Sequence, residues 1–186
     1  DRARMLFDFF AQRFAQVTNP PLDSIREKMV TSLFTQLGAQ LDITSEVPEA
    51  AHRIQLGKPL LLNSTLATLR EAGEHEGFGA FRSAVISGLY PVAHGGRGMR
   101  QAIERVRREV SAAINDGATL IILSDRESNG RLAPIPSLLL VSAVHQHLVK
   151  EKTRTRASLI VEADTGDRAD RTGEVLVEEC LGQARD

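Results

Sequence analysis

The feature that most constrains the fold is a regular alternation of apolar runs and amphipathic segments in the second half of the chain. Residues 118–123 form a continuous apolar run, which is typical of a strand buried on both faces of a parallel sheet. Segments with the apolar periodicity of a helix lie before this run at 99–115 and after it at 137–150. Apolar runs at 84–92 and 158–162 complete a strand–helix–strand–helix–strand order. This order predicts an α/β fold with a parallel sheet built from βα repeats.

The first part of the chain predicts a pair of helices ahead of that sheet. Large apolar side chains crowd residues 5–15 at helical spacing, and Pro20 and Pro21 then interrupt the pattern. A second helix is expected to begin at Asp23 or Ser24 and to stop at Gly38. Its predicted apolar face consists of Ile25, Met29, Leu33 and Leu37.

We therefore expect three segments along the chain: an N-terminal helical segment at 1–38, an α/β core at 39–163 and an acidic tail at 164–186. A short apolar run at 59–62 predicts a further strand at the start of the core, and a helix is expected in the tail at 174–183.

Composition and charge exclude several classes of function. The chain has 186 residues, with 23 Lys and Arg against 24 Asp and Glu, so we expect neither a nucleic-acid nor a membrane-surface partner. Its single cysteine, Cys180, excludes a disulfide framework or an iron–sulfur cluster held by this chain alone, and fits a cytoplasmic location. The absence of an initiator methionine suggests a piece of a longer protein.

Ligands of parallel α/β sheets sit beyond the carboxyl ends of the strands, so the loops that follow the predicted strands are the places to search. Asp125, in the Ser-Asp-Arg segment that follows the 118–123 run, can bind a metal, act as a base or hold a backbone amide. A structural hydrogen bond or ion pair made by Asp125 and Arg126 is the favoured interpretation, because no matching catalytic group is recognisable nearby. The glycine-rich segment 94–98 can present amides to an anion, although a simple turn explains it better.

The remaining reactive residue types have structural explanations. His145 and His147 stand two apart on a predicted helix and therefore point in different directions, which argues against a metal pair. Acidic neighbours argue against a reactive Cys180. The basic run at 150–156 is expected to be a solvated linker or an interdomain contact. The residues alone thus predict no catalytic, cofactor-binding or metal-binding site.

Several segments in order resemble one family, the central domain of the glutamate synthase large chain. The most specific is the stretch Phe-Ala-Gln-Val-Thr-Asn-Pro-Pro at 14–21. The run at 118–126, which ends in Ser-Asp-Arg, the Ala-Pro-Ile-Pro segment at 133–136 and the Val-His-Gln-His-Leu segment at 144–148 also resemble this family. The resemblance extends over about residues 5–163.

The resemblance implies an incomplete βα-barrel-like domain without catalytic residues of its own. In such enzymes a glutaminase domain releases ammonia from glutamine, and an FMN-binding domain with an iron–sulfur cluster uses it to make glutamate from 2-oxoglutarate. The central domain would link the two and help frame the ammonia tunnel, with the oxidoreductase chemistry of glutamate biosynthesis carried elsewhere. Candidate residues for interdomain contact are Asn19, Pro20, Pro21, Asp125 and Arg126.

Two other interpretations stay open at this point. The chain can be a free-standing α/β enzyme or ligand-binding domain that uses its strand-end loops, or a regulatory domain that recruits a partner through its Phe-rich first segment. The tail is the weakest part of the resemblance, because 163–186 lacks the histidines and tyrosine with which the family continues.

Overall fold

A computed structural model of the chain describes residues 9–10, 22–41, 44, 47–75, 77–163 and 174–178. The chain divides into two compact units, Asp1–Leu33 and Phe34–Asp186. In chain order the described helices are α1 (Ser24–Val30), α2 (Asn63–Arg70), α3 (Gly95–Asn115) and α4 (Ser137–Lys150). The described strands are β1 (Thr35–Leu37), β2 (Ile54–Leu56), β3 (Leu60–Leu61), β4 (Ser83–Ser87), β5 (Leu89–Pro91), β6 (Leu120–Ser124), β7 (Leu132–Pro134), β8 (Ser158–Ala163) and β9 (Glu174–Glu178).

In the first unit, α1 begins where the sequence predicts it. The Asp23 carboxylate accepts hydrogen bonds from the backbone N–H groups of Ile25 (3.0 Å) and Arg26 (2.8 Å), as expected of an N-cap. The prediction that this helix continues to Gly38 is wrong, because α1 ends at Val30. The other predicted helix, at 5–15, lies outside the described residues apart from residues 9 and 10.

Residues 35–37, predicted as the end of that helix, instead form strand β1 of the second unit. Leu37 is fully buried in β1, which pairs antiparallel with β2, whereas Ile25 and Met29 are largely exposed. The spacing of Leu37 from Met29 therefore arises by coincidence, and the alternation of buried and exposed residues over 35–37 is the relevant signal.

The α/β prediction is confirmed by a five-stranded sheet in the order β3-β9-β8-β6-β4. Strands β4, β6 and β8 are parallel, and β9 runs antiparallel between β8 and β3. Among the described residues the sheet stays open, so no barrel is closed. The helix expected at 174–183 is wrong: residues 174–178 form β9, where strand neighbours on both sides satisfy the backbone of an apolar Val-Leu-Val run.

Helices cover both faces of this sheet, and the alternation of buried side chains along β6 decides which helix lies on which face. Ile121 and Leu123 pack with the buried sides of α3 and α4, whereas Leu120 and Ile122 pack with α2. All five residues of β6 are buried, as predicted for a central parallel strand.

Helix α3 includes the segment that the sequence marks as a glycine-rich loop. The helix begins at Gly95 rather than at residue 99, and Gly98 lies within its first turn. A Cβ at Gly98 would stand 2.6 Å from the Cβ of His94 and 3.2 Å from the Pro91 carbonyl oxygen. The glycine at 98 is therefore explained by close packing of the helix start against the preceding turn.

The strand predicted at 84–92 is two strands, β4 and β5, that diverge at Gly88. The Gly88 N–H donates to the Ser124 carbonyl (2.8 Å), while the Gly88 carbonyl accepts from Ile135 N–H (2.8 Å). A Cβ at Gly88 would stand 2.6 Å from a Leu140 methyl carbon, so only glycine fits without a shift. Strand β5 then pairs with β7 in a separate two-stranded sheet.

Helix α4 has the predicted limits, but its buried face differs from the one that the apolar spacing of the sequence predicts, which consists of Leu138, Val141, Val144, His145 and Leu148. The fully and nearly buried positions are Leu140, Ala143, Val144 and Leu148, whereas Leu138, Val141 and His145 are only half-buried. The basic run after α4 is also not simply solvated. Arg154 is 6% exposed, and its guanidinium donates to His145 Nδ1 (3.1 Å) and to the Ala157 carbonyl (3.0 Å).

Candidate functional site

The carboxyl ends of β3, β4, β6 and β8 meet along one edge of the sheet. This follows from the parallel pairing of β4, β6 and β8, and from β3 and β8 both running antiparallel to β9. The edge therefore brings together the residues that end or follow these strands, as the sequence predicts for loops of a parallel sheet.

A buried carboxylate lies at the centre of this edge. Glu162, at the end of β8, has a side chain that is only 2% exposed. The Ser124 hydroxyl, at the end of β6, donates to Glu162 Oε2 at 2.5 Å. Because a buried charge is costly unless it is paired, the groups around Glu162 determine what the edge can do.

Two arginines pair with this carboxylate from different elements. Arg70 Nη2, from the last residue of α2, lies 2.5 Å from Glu162 Oε2. Arg126 Nε, from the loop after β6, lies 2.7 Å from Glu162 Oε1. Arg126 Nη2 also donates to Asn63 Oδ1 (3.0 Å), at the start of α2. We call Arg70, Arg126, Ser124 and Glu162 the edge cluster; it connects the ends of β6, β8 and α2 through one carboxylate.

The edge cluster borders a small cleft of about 240 Å³. The cleft is lined by Arg70, Val85, Ser87, Ser124, Arg126 and Glu127. It has room for a small molecule or for one inserted side chain. Both arginines pair with the same carboxylate, so the edge cluster has two positive charges against one negative charge.

The predicted interdomain residues fall into two groups. The structure places Arg126 in the edge cluster, and Asp125 beside it, where Asp125 N–H donates to the Glu162 carbonyl (3.2 Å) and Ser128 N–H donates to the Asp125 carbonyl (2.9 Å). Asn19, Pro20 and Pro21 lie outside the described residues. Contact of these residues with a neighbouring domain stays a prediction.

Sequence reasoning missed Glu162 and Arg70. The sequence does contain a pattern that indicates a role for Glu162: it is an acid at the end of an otherwise apolar strand, where a buried charge requires a partner. No such pattern marks Arg70, because basic residues are common near the carboxyl terminus of a helix, where Arg70 lies.

The two histidines of α4 are both half-buried and contact different neighbours. His147 Nε2 lies 2.8 Å from the Ser111 hydroxyl of α3, whereas His145 faces Arg154. In the described part of the chain, no group of three or more His, Cys, Asp or Glu residues is placed to hold a metal ion. The described helices include none that is both long and apolar enough to cross a membrane.

A second cleft, of about 530 Å³, lies beside β2 and the segment that leads into β4. Phe78 and Phe81 contribute two tilted rings whose centroids are 6.1 Å apart. Arg53, also in its lining, donates to the Gly38 carbonyl (3.3 Å) and so connects this region to the end of β1.

The fold and the edge cluster together define an open α/β domain in which the charges at the strand ends are paired internally. A family model described as the glutamate synthase central domain matches residues 1–172. The chain belongs to this family, as its resemblance in sequence predicts.

Similar proteins agree with this assignment. The large chain of glutamate synthase (NADPH) from Bacillus subtilis is 40% identical over 163 residues, which make up 88% of this chain and 10% of that protein. The same large chain from Azospirillum brasilense is 40% identical over 166 residues, 89% of this chain and 11% of that protein. Ferredoxin-dependent glutamate synthase from Pyropia yezoensis is 34% identical over 164 residues, 87% of this chain and 10% of that protein. The chain thus spans about a tenth of the length of these curated relatives.

Proposed function

We propose that this chain is the non-catalytic, connecting part of a glutamate synthase. Residues 39–163, the α/β core expected from the sequence, would link a glutaminase domain to an FMN-binding synthase domain and contribute walls to the ammonia tunnel between them. The observation that carries the proposal is the match to the central-domain family over residues 1–172.

The chemistry of the edge cluster supports a connecting role rather than catalysis. A general base or nucleophile needs an accessible group, but Glu162 is buried and already pairs with Arg70 and Arg126. Arg126, about half exposed, is the member of the cluster best placed to contact a neighbouring domain. FMN and the iron–sulfur cluster would be held by the neighbouring domains, and the reductive amination of 2-oxoglutarate by ammonia to glutamate would occur there.

The proposal predicts that Arg126 affects the coupling of two reactions rather than either reaction alone. In a complete glutamate synthase that contains this chain, Arg126→Met should lower glutamine-dependent glutamate formation. Ammonia-dependent glutamate formation and glutamine hydrolysis should stay near their original rates, and ammonia should escape to solvent. The measurement compares ammonia released with glutamate formed during steady-state turnover.

Arg100→Met is the matched control, since Arg100 is an exposed arginine of α3 outside the edge cluster. Unchanged coupling in the Arg126 variant would contradict a role of this edge in the connection. Loss of both partial reactions in a correctly folded variant would instead indicate a catalytic role.

The cleft beside the edge cluster supports a second candidate, a ligand-binding α/β domain that acts by itself. A ligand that binds only the folded state raises its melting temperature. A thermal-shift screen of the chain with nucleotides, sugar phosphates and FMN tests this candidate, and an Arg70→Met variant should lose any shift that arises at the cleft. The absence of a shift across the panel counts against it.

A further inference from the structure

The cleft beside the edge cluster has an open apolar surface along β4. Ile86 packs with α3 and α4, so its neighbours Val85 and Ser87 project from the opposite face of the sheet. On that face, α2 covers the start of the strand, where the Ser83 hydroxyl donates to the Leu69 carbonyl. Val85 and Ser87 lie farther along β4 and line the cleft instead, and Val85 is 51% exposed.

The cleft also has a positive charge that Glu162 does not balance. Arg70 and Arg126 line the cleft, and both pair with this one carboxylate. Glu127, the acid in the lining, is exposed, so solvent screens its charge. One further negative charge would therefore balance the edge cluster, whereas the charge of a phosphate monoester would exceed that balance.

Hydrogen-bond donors remain available around the cleft. Arg70 uses Nη2 to pair with Glu162, and Arg126 uses Nε for the same carboxylate and Nη2 for Asn63. A guanidinium has five N–H donors, so neither arginine is saturated. Within the described part of the chain, Nη1 of both arginines and the Ser87 hydroxyl have no hydrogen-bond acceptor.

The size and shape of the cleft select among anions. Pockets for drug-sized molecules have volumes of about 300–1,000 Å³, and this cleft has about 240 Å³. A short aliphatic carboxylate fits this volume better than a nucleotide. A planar carboxylate also matches the geometry of guanidinium donors, and its chain would cover the exposed surface of Val85.

We propose that this cleft binds a single carboxylate group. The carboxylate accepts hydrogen bonds from Arg70, Arg126 and the Ser87 hydroxyl, and the aliphatic chain that carries it packs on Val85. An aspartate or glutamate side chain from outside residues 1–186 can supply the group, and so can a free aliphatic acid. The site does not depend on the proposed connecting function, because residues of this chain alone build it.

The first test places a carboxylate in the cleft from Val85 itself. Val85→Glu and Val85→Gln differ only in charge, so the glutamate variant should melt about 2–4 °C higher, and salt should reduce the difference. The same pair at Val149, which is 47% exposed on α4, is the matched control. There glutamate should give no advantage, because the carboxyl end of a helix disfavours an anion. Circular dichroism of each variant verifies the fold.

The second test uses a free carboxylate. Saturation-transfer NMR with butyrate should give a saturable signal from the chain. Butyramide, its neutral analogue, should bind about tenfold more weakly, as expected for the loss of a charge-assisted hydrogen bond. Val85→Glu should abolish the butyrate signal, because its own carboxylate engages the arginines, whereas Val149→Glu should leave the signal unchanged.

The same measurement on a complete glutamate synthase that contains this chain separates the two sources of the carboxylate. A butyrate signal that Val85→Glu removes indicates a site open to free acids. If the complete protein lacks that signal and the chain alone shows it, an acidic side chain of the protein occupies the cleft. Absence of butyrate binding by the chain, equal binding of butyramide, or a Val85→Glu variant no more stable than Val85→Gln would overturn the proposal.

Discussion

At the scale of single residues, Glu162 is the charge on which the carboxyl edge depends. Its side chain is 2% exposed, whereas those of Arg70 and Arg126 are 32% and 52% exposed. The arginines can recover water contacts if the pair is lost, but the carboxylate cannot do so without moving. We therefore expect loss of an arginine to cost more than loss of the glutamate charge.

Arg70→Met should lower the free energy of unfolding by about 1–3 kcal/mol, because it leaves Glu162 with one remaining cation. Glu162→Gln in the same chain should restore part of that loss, since the amide can still accept from Ser124 and carries no charge to bury. Chemical denaturation of the single and double variants measures the coupling.

Arg107→Met is the control for this cycle. Arg107 is 31% exposed, close to the value for Arg70, but it pairs with the exposed Glu104. The Arg107–Glu104 ion pair should contribute less than about 1 kcal/mol to the free energy of unfolding. Equal losses in the Arg70 and Arg107 variants, or no recovery with Glu162→Gln, would contradict the buried-charge explanation.

The sequence predicts which residues of the edge cluster follow strands, but not which of them meet. Asp125 and Arg126 can be recognised because they lie in the short polar segment that follows an apolar run. The pairing of Arg126 with Glu162 depends on β6 and β8 being neighbours in parallel register. The pairing of Arg70 with Glu162 depends on α2 packing on the face of the sheet opposite to α3 and α4. Such non-local geometry leaves no mark in local residue patterns.

At the scale of elements, the two longest helices and the central strands follow the sequence, and so does the short strand β3, but several other short strands do not. Helices α3 and α4 and strands β6 and β8 repeat their apolar pattern often enough to identify them. Strands β1, β5, β7 and β9 have three to five residues and depend on pairing partners distant in sequence. Their formation is therefore decided by tertiary contacts rather than by local propensity.

The corrected face of α4 gives a prediction for this helix. Leu140 is 4% exposed and packs against the region of Gly88, whereas the adjacent Leu139 is 38% exposed. Leu140→Ala should lower the free energy of unfolding by about 2–5 kcal/mol through the cavity it creates. Leu139→Ala should cost less than about 1 kcal/mol, because it removes little buried area.

Thermal or urea unfolding of both variants compares them directly. Similar losses would mean that the buried face of α4 is not the one centred on Leu140, Val144 and Leu148.

At the scale of the whole molecule, β9 joins β3 to the parallel strands of the main sheet. It lies between β8 and β3, so its removal leaves the hydrogen-bonding edge of β8 uncovered and separates β3 from the sheet. The acidic tail expected from the sequence thus contributes a strand to the core of the fold.

A chain truncated after residue 163 should therefore show faster amide exchange along β8 and β3 than the full chain, together with a lower melting temperature. Exchange along β6 should change least, since its two neighbours, β4 and β8, both remain in the truncated chain. Hydrogen exchange followed by mass spectrometry measures the amide exchange of each strand separately. Unchanged protection of β8 would contradict the placement of β9 beside it.

The hydrogen bonds that join Gly38 to Ser158 have a consequence for the order of folding. The Gly38 N–H donates to Ser158 Oγ (3.0 Å), and that hydroxyl donates to the Gly38 carbonyl (3.1 Å), across 120 positions of the chain. Strands β4, β6 and β8, by contrast, are joined by successive local crossovers. Because closing a long loop costs entropy before its contacts form, the parallel strands should assemble first. The β1–β2 pair should then dock in a later and slower kinetic phase.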